Sequence, residues 1–305
     1  MVPKIMKQGT LTPWLYLSAA LLIMLVFIVF PTANTVVLSF RDKTSIQSAA
    51  VDCRPGEPCW GALDNYRYAL TDPEMRQALR NNALWLLLMV PGTVAAGLFF
   101  AVLTDRVRYE RLAKTIIFLP MAISFVGASI IWKFVYYLQT GGGAQIGVLN
   151  AAISAMGGTP IPWLTNANWF VNNVSLWIVG VWLWAGFCMT ILSAALKSVP
   201  EEILEASRVD GATEWQVFWR IMFPIILPTV TVVTTTMFIN ILKVFDIVFV
   251  MTNGLNGTEV IANRMFKFIV TNQGRSMAIA VLLIVLTIPI MIVNVRRFRE
   301  QEAIR

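Results

Sequence analysis

Long apolar runs alternate with short clusters of charge along the chain, and the clusters mark where each run stops. No Asp, Glu, Lys or Arg lies between Lys7 and Arg41, between Arg80 and Asp105, from Phe134 to Leu196, or between Arg220 and Lys243. A helix needs roughly 20 mostly apolar residues to cross the hydrocarbon core of a bilayer. Each gap can hold at least one such helix. The pattern predicts six spans, at about 14–39, 77–103, 113–138, 170–196, 217–245 and 276–295. Short connections fall at 104–112 and 197–216, and long ones at 40–76, 139–169 and 246–275. Prolines 91, 120, 224, 228 and 289 lie inside spans, where neighbouring groups can satisfy the carbonyls they free. The expected fold class is an all-α membrane protein, with one transmembrane domain over residues 1–305.

Composition agrees with lipid as solvent: 57% of residues are hydrophobic and 13% charged, against about 25% charged in a soluble domain. A signal peptide would account for the first run but not for the five that follow. Met24-Leu25-Val26-Phe27 leads to no small-residue cleavage site, so the first run reads as a retained helix. Basic side chains are unevenly placed. Segments 1–13, 105–114, 197–220 and 296–305 hold 13 Lys and Arg in 57 residues, whereas 40–80, 139–169 and 243–275 hold 10 in 105. The denser side is expected to be cytoplasmic, with both termini. Lys133, near the end of the third span, is placed to snorkel to the interface.

Several chemistries are excluded. The chain has no histidine, which removes His general bases, His metal ligands and His proton relays. No metal site, paired carboxylates or nucleophile motif is found in the spans, so the chain is not expected to be an enzyme. The net charge of +7 is not accompanied by an aromatic-interleaved basic stripe, so nucleic acid is not an expected partner. "TGGGAQIG" in the 139–169 connection lacks the Lys-Ser/Thr ending of a phosphate loop. Cys188 sits in an apolar run and reads as packing. Cys53 and Cys59 enclose the turn-forming "RPGEP" and are either two free thiols or a loop-local disulfide.

Two clusters carry candidate function. Five acids fall between Glu201 and Glu214 in "EEILEASRVDGATEWQVFWRIMFPIILP". Pro200 suits a first helical position, Glu201 and Glu202 suit the positive end of a helix dipole, and Asp210-Gly211 is a breaker. A short helix over about 200–211 is therefore predicted, with Ile203, Ala206 and Val209 forming a narrow apolar stripe beside Glu205 and Arg208. Helices that rest on lipid headgroups favour basic polar faces. This one is acidic, which favours docking onto a protein, and Glu214 has no assigned role. In the fifth span, Asn240, Lys243 and Asp246 recur at three-residue spacing on one face, with Phe245 adjacent. They are either a substrate-pathway surface or a structural Lys243–Asp246 pair at the interface.

"EASRVDGATEWQVFWRIMFP" resembles the EAA loop of ATP-binding-cassette importer permeases: Glu205, Ala206, Ser207, Gly211, Ile221 and Pro224 fall at the pattern's positions, with Asp210 and Ala212 flanking the glycine. Ser207 stands for the second Ala and Phe223 for the usual Leu. "FLPMAISFVGASIIWKF", "GVLN" with "WLTN", and "WLWAGFCMTILSAALKSVP" are similar to carbohydrate importer permeases. "FDIVFVMTNGLNGTEVIANRMFKF" and "NVRRFREQEAIR" look most like the alpha-glucoside branch of the maltose-permease class, although Leu255-Asn256-Gly257 replaces the wider class's Gly-Gly-Pro. The resemblance implies a type I importer permease in the bacterial inner membrane. Its implied partners are a second homologous permease, two cassette ATPases that carry ATP and Mg, and an extracytoplasmic sugar-binding protein. It also implies that residues 205–212, with Ile221 and Pro224, couple the ATPases to the pore, Glu205 through an ionic contact and Gly211 as a hinge. Glycerol phosphate or a polyol is the alternative cargo, and an ATP-independent secondary transporter the alternative class.

Overall fold

The computed structural model describes residues 12–41, 63–141 and 143–303; Cys53 and Cys59 lie outside the described residues. Among these residues the chain is helical, with no strand. Five helices are long and apolar enough to cross a membrane, or six if one bent pair counts as a span.

The first, α1, runs Thr12–Met24, through a π turn at Leu25–Val29, into Phe30–Ser39. A short α2 (Asp64–Thr71) leads through the cap of Asp72 into α3 (Pro73–Thr104), which contains a π turn at Trp85–Met89. Next come α4 (Glu110–Phe118), α5 (Phe125–Val135), α6 (Val148–Ala155), α7 (Trp169–Lys197) and α8 (Glu201–Val209). The span α9 (Glu214–Leu242) has a π turn at Phe218–Met222. It is followed by α10 (Asp246–Met251), α11 (Ile261–Thr271) and α12 (Gln273–Ala303).

The three π turns share a cause. Each ends two residues before a proline: Pro31, Pro91 and Pro224. A proline donates no hydrogen bond, and its ring crowds the carbonyl four residues back. Those carbonyls belong to Phe27, Leu87 and Arg220, each the middle residue of its π turn. The wider turn makes room for the ring, while the N–H groups of Phe30, Val90 and Phe223 bond to Leu25, Trp85 and Phe218.

The core is built on α7, which packs most extensively along α3. Trp85, Met89, Leu176, Met189 and Met237 are fully buried between α3, α7 and α9. Cys188 lies in this core, buried against α3. Small residues let membrane helices approach closely, and Gly186 shows why: a Cβ there would stand 2.6 Å from the Ile117 carbonyl of α4. A second cluster joins α2, the start of α3, α11 and α12. The Phe30–Ser39 half of α1 lies along α12, and the apolar residues before it are exposed, as expected of a lipid-facing helix.

The expected single helix over 113–138 is corrected. It is two helices bent by 101°, because Pro120 ends the first and Ile123 and Ser124 are extended. The Ser124 hydroxyl then accepts the Gly127 N–H at 3.0 Å and starts α5. Lys133 donates to the Val250 carbonyl at 3.2 Å, so it ties α5 to α10.

At the end of the bundle opposite α8, the long connections are held by buried asparagines. Asn81 donates to the carbonyls of Gly257 and Glu259, both at 2.8 Å. Asn82 donates to the Leu242 carbonyl at 3.0 Å and accepts the Ile261 N–H at 2.9 Å. Asn172 and Asn173, on α7, bond the carbonyls of Asn256 and Gly257. The departing Leu255-Asn256-Gly257 stretch turns through left-handed backbone, φ +56° at Asn256 and +81° at Gly257. Asn150 closes the 139–169 connection by bonding the carbonyls of Tyr137 and Ile161 and the amide of Ile161.

Gly186→Ala should lower the unfolding temperature of the detergent-solubilised protein by several degrees, the effect of about 1–3 kcal/mol of overpacking. Gly92→Ala, where a Cβ meets nothing within 4 Å, should leave it unchanged or raise it slightly.

Candidate functional site: a displayed short helix and an intramembrane cavity

The first part of the site is α8 and its link to α9. Pro200 is the residue before the helix rather than its first member, because its ψ of 130° is extended. Glu201 and Glu202 occupy the first turn and Arg208 the last, each sign matched to the helix dipole. Leu204 packs on the core and Ser207 is buried. The opposite face displays Ile203, Glu205, Ala206 and Val209, with Val209 87% exposed. Glu205 makes no ion pair among the described residues.

The helix stops through backbone bonds. The Ala212 N–H reaches the Ser207 carbonyl at 3.1 Å and the Gly211 N–H reaches Arg208 at 3.0 Å. This is a Schellman motif, and Gly211 supplies its left-handed residue at φ +83°. Thr213 then opens α9 in a reciprocal capping box with Gln216. Only Asp210, Gly211, Ala212 and Thr213 separate the two helices. Ile221 lies in the π turn and Pro224 just after it.

Glu214, without a role in the sequence reading, is the electrostatic centre of this link. It accepts from Arg208 Nε at 2.8 Å and from Arg106 Nη2 at 3.3 Å, joining α8, α9 and the α3–α4 connection. Its carboxylate, hydrogen-bonded to Arg208, raises that guanidinium's pKa above the ordinary value. A second knot lies alongside. Lys114 bonds Asp105 and Glu110, both at 2.6 Å, Ser193 bonds Asp105 at 2.8 Å, and Lys197 pairs with Glu110. It fastens α3, α4 and α7 three residues before Pro200. A carboxylate near two arginines was a readable signal for Glu214, but one spread over 108 residues of sequence.

The second part is a cavity of about 210 Å³ lined by Asn240, Lys243, Phe245 and Asp246 together with Phe125 and Trp184. The helix does not carry these residues on one continuous face. It ends at Leu242, Lys243 and Phe245 leave helical geometry, and Asp246 begins α10. The cavity is the gap left by that break. Lys243 and Asp246 form no ion pair among the described residues, and the Asn240 amide donates to the Thr236 carbonyl at 2.9 Å, which leaves its own carbonyl oxygen as an acceptor. Phe125 and Trp184, 5.7 Å apart and inclined by 30°, add aromatic surface. They were missed because they come from α5 and α7, which meet here only through the bend after Pro120.

The chain is thus a bundle of span-length apolar helices with a displayed acidic helix at one end and a polar cavity at a helix break. The profile of binding-protein-dependent transport system inner membrane components matches residues 93–297, and the chain belongs to that family. It is 51% identical over 293 residues to an osmoprotective compounds uptake permease of Synechocystis sp., covering 95% of this chain and all of the relative. It is 44% identical to an alpha-glucoside transport system permease of Rhizobium meliloti, covering 96% of this chain and 84% of the relative. Its fold superposes on a chain of a bacterial ABC transporter that imports the acidic polysaccharide alginate, with a TM-score of 0.74, 21% identity and coverage of 94% and 95%. The fold is the all-α fold of type I ABC importer permeases.

Glu214→Ala removes both ion pairs of the link, which are solvent-exposed and weakened by water and salt. Amide hydrogen exchange at Asp210–Thr213 should then speed up by roughly two- to five-fold, as read by mass spectrometry of the solubilised protein.

Proposed function

We propose that this chain is the permease subunit of an ATP-driven importer for a sugar, an alpha-glucoside or related oligosaccharide. The observation that carries the transport reading is α8: a short helix displaying Glu205, Ile203 and Val209, with its far end clamped to the bundle by Glu214. Its acidic, partly apolar outer face suits a basic, apolar cleft on a cassette ATPase. Two such ATPases would carry ATP and Mg, and this chain would hydrolyse nothing itself. A second homologous permease would complete the pore, and an extracytoplasmic binding protein would deliver the sugar. The basic-residue asymmetry supports placing the α8 end and both termini in the cytoplasm.

In this mechanism nucleotide-driven closure of the ATPases moves α8, and the short link passes the movement to α9. Glu205 makes the ionic contact, Ala206 and Ser207 allow close approach, and Asp210, Gly211 and Ala212 form the turn about which α8 swings. Ile221 and Pro224 lie at the widened turn where α9 takes up the motion. Asn240, Lys243, Phe245 and Asp246 then line the substrate pathway. The Asn240 carbonyl and Asp246 carboxylate accept sugar hydroxyls, Lys243 donates, and Phe245 offers an apolar face to the ring.

The alpha-glucoside reading is supported by the Rhizobium meliloti relative, whose name states that cargo. A second reading, an osmoprotective compound, is favoured by the relative from Synechocystis sp., whose name states that cargo. Profiling which sugars stimulate ATP hydrolysis by the reconstituted complex with its binding protein separates the two. Stimulation by neither class sinks both.

Glu205→Lys or Gly211→Pro should abolish uptake while the four-subunit complex still assembles. Normal substrate-driven ATP hydrolysis in proteoliposomes carrying either change would remove α8 from the coupling role. Asn240→Ala and Asp246→Ala should each change the apparent affinity or rate of transport by roughly ten-fold, the scale of a lost charge-assisted hydrogen bond. Unchanged kinetics for both would remove them from the pathway.

A further inference from the structure

We propose that Asn82 is a positioning residue for transport: it holds the break in α9, and thus the shape of the cavity beside it, in register with the loop between α10 and α11. The inference rests on the reading that the Asn240–Asp246 cavity belongs to the substrate pathway.

Asn82 does not line that cavity. It is 2% exposed and sits in the span α3. Its Nδ2 donates to the carbonyl of Leu242, the last residue of α9, and its Oδ1 accepts from the N–H of Ile261, the first residue of α11. The last carbonyls of a helix and the first amides of the next have no partner in their own ladders. One buried side-chain amide therefore satisfies an orphan acceptor on α9 and an orphan donor on α11 at once. Residue 243, next along the chain, already lines the cavity.

The adjacent Asn81 has a separate task. It gives both amide protons to the loop, at the carbonyls of Gly257 and Glu259. That loop is itself stiff. The Thr252 and Thr258 hydroxyls pair at 2.6 Å, and the buried Glu259 carboxylate accepts from Asn263 at 2.5 Å and from Lys267 at 2.6 Å. A stiff loop pushed from outside moves as a unit. Ile261 moves with it, and because Asn82 is buried with one bond to each partner, its amide carries Leu242 along. Under the orientation proposed above, this loop faces the side from which a loaded binding protein arrives.

The test uses the complete importer in proteoliposomes. Two quantities are read: the concentration of sugar-loaded binding protein that half-saturates ATP hydrolysis, and the sugar imported per ATP hydrolysed. Asn82→Asp keeps an acceptor for Ile261 but loses the donor to Leu242. It should leave half-saturation within about two-fold while import per ATP falls ten-fold or more. Asn81→Ala should show the reverse: a raised half-saturating concentration with import per ATP retained. If Asn82→Asp only reduces the amount of assembled complex and the remainder imports normally per ATP, Asn82 is merely structural and the proposal is overturned.

A second measurement needs no change at Asn82. Fluorophores placed at Leu255, 63% exposed on the loop, and at Lys243 should respond to docking with one rate constant. A response at Leu255 with none at Lys243 overturns the proposal. Asn240→Ala and Asp246→Ala, assayed in parallel, separate the two ideas. If they leave import unchanged, the cavity reading fails. If they impair it and Asn82→Asp does not, only the role of Asn82 fails.

Discussion

In the hydrocarbon region of a bilayer, main-chain N–H and C=O groups find no water, and each one left unpaired costs several kcal/mol. Among the described residues, the helix interruptions at the π turns, at the end of α9 and after Pro120 are accordingly matched by local remedies. Three prolines are preceded by π turns. The end of α9 is met by Asn82, and the loop beyond it by Asn81, Asn172 and Asn173. The bend after Pro120 is closed by Ser124. These repaired interruptions are also where the working parts sit. The cavity occupies the break between α9 and α10, and its aromatic wall reaches it through the bend between α4 and α5.

At the α8 end, magnitudes decide which forces hold the link. The Glu214 pairs are about half exposed on both partners, so solvent screens them and they add little net stability. A good helix cap is worth about 1 kcal/mol and is not screened by salt. The Schellman motif and the capping box together outweigh the ion pairs, so the turn owes its shape chiefly to its backbone. Glu214 orients the helices around a turn that is already formed. The Asp105–Lys114–Glu110 knot differs, because Lys114 and Asp105 are each about one-fifth exposed and are fastened to three helices at once.

Much of this was legible beforehand, for physical reasons. Charge is so costly in lipid that gaps between charged residues outline the long helices, and Pro200, Glu201 and Gly211 bracket α8 by ordinary capping rules. The resemblance carried by Glu205 to Pro224 placed α8 in the family to which the chain belongs. The failures are equally instructive. Pro120 carries the same letter as Pro91, yet one ends a helix and the other merely widens it. The difference lies in whether the residues beyond, Ile123 and Ser124, stay helical. The even spacing of Asn240, Lys243 and Asp246 suggested a continuous face, but a spacing of three cannot reveal that the helix stops between them. The Asn–Asn pairs at 81–82 and 172–173 stood in plain view inside or beside apolar runs. Their decisive partners are main-chain groups 84 to 179 residues away, which no local pattern announces.

The brevity of the turn between α8 and α9 has a consequence for how this protein can vary. With both helix ends capped inside four residues, there is no slack to absorb an added or deleted residue. An α-helix rotates about 100° per residue, so one insertion between Asp210 and Gln216 would turn the polar end of α9 away from its neighbours while every side chain remained correct. Outside Gly211, whose left-handed backbone resists any side chain, substitution in this stretch is a graded change, whereas a change of length is a discrete one. Descendants of this chain can therefore vary the exposed side chains of the turn so long as they keep its glycine and its count.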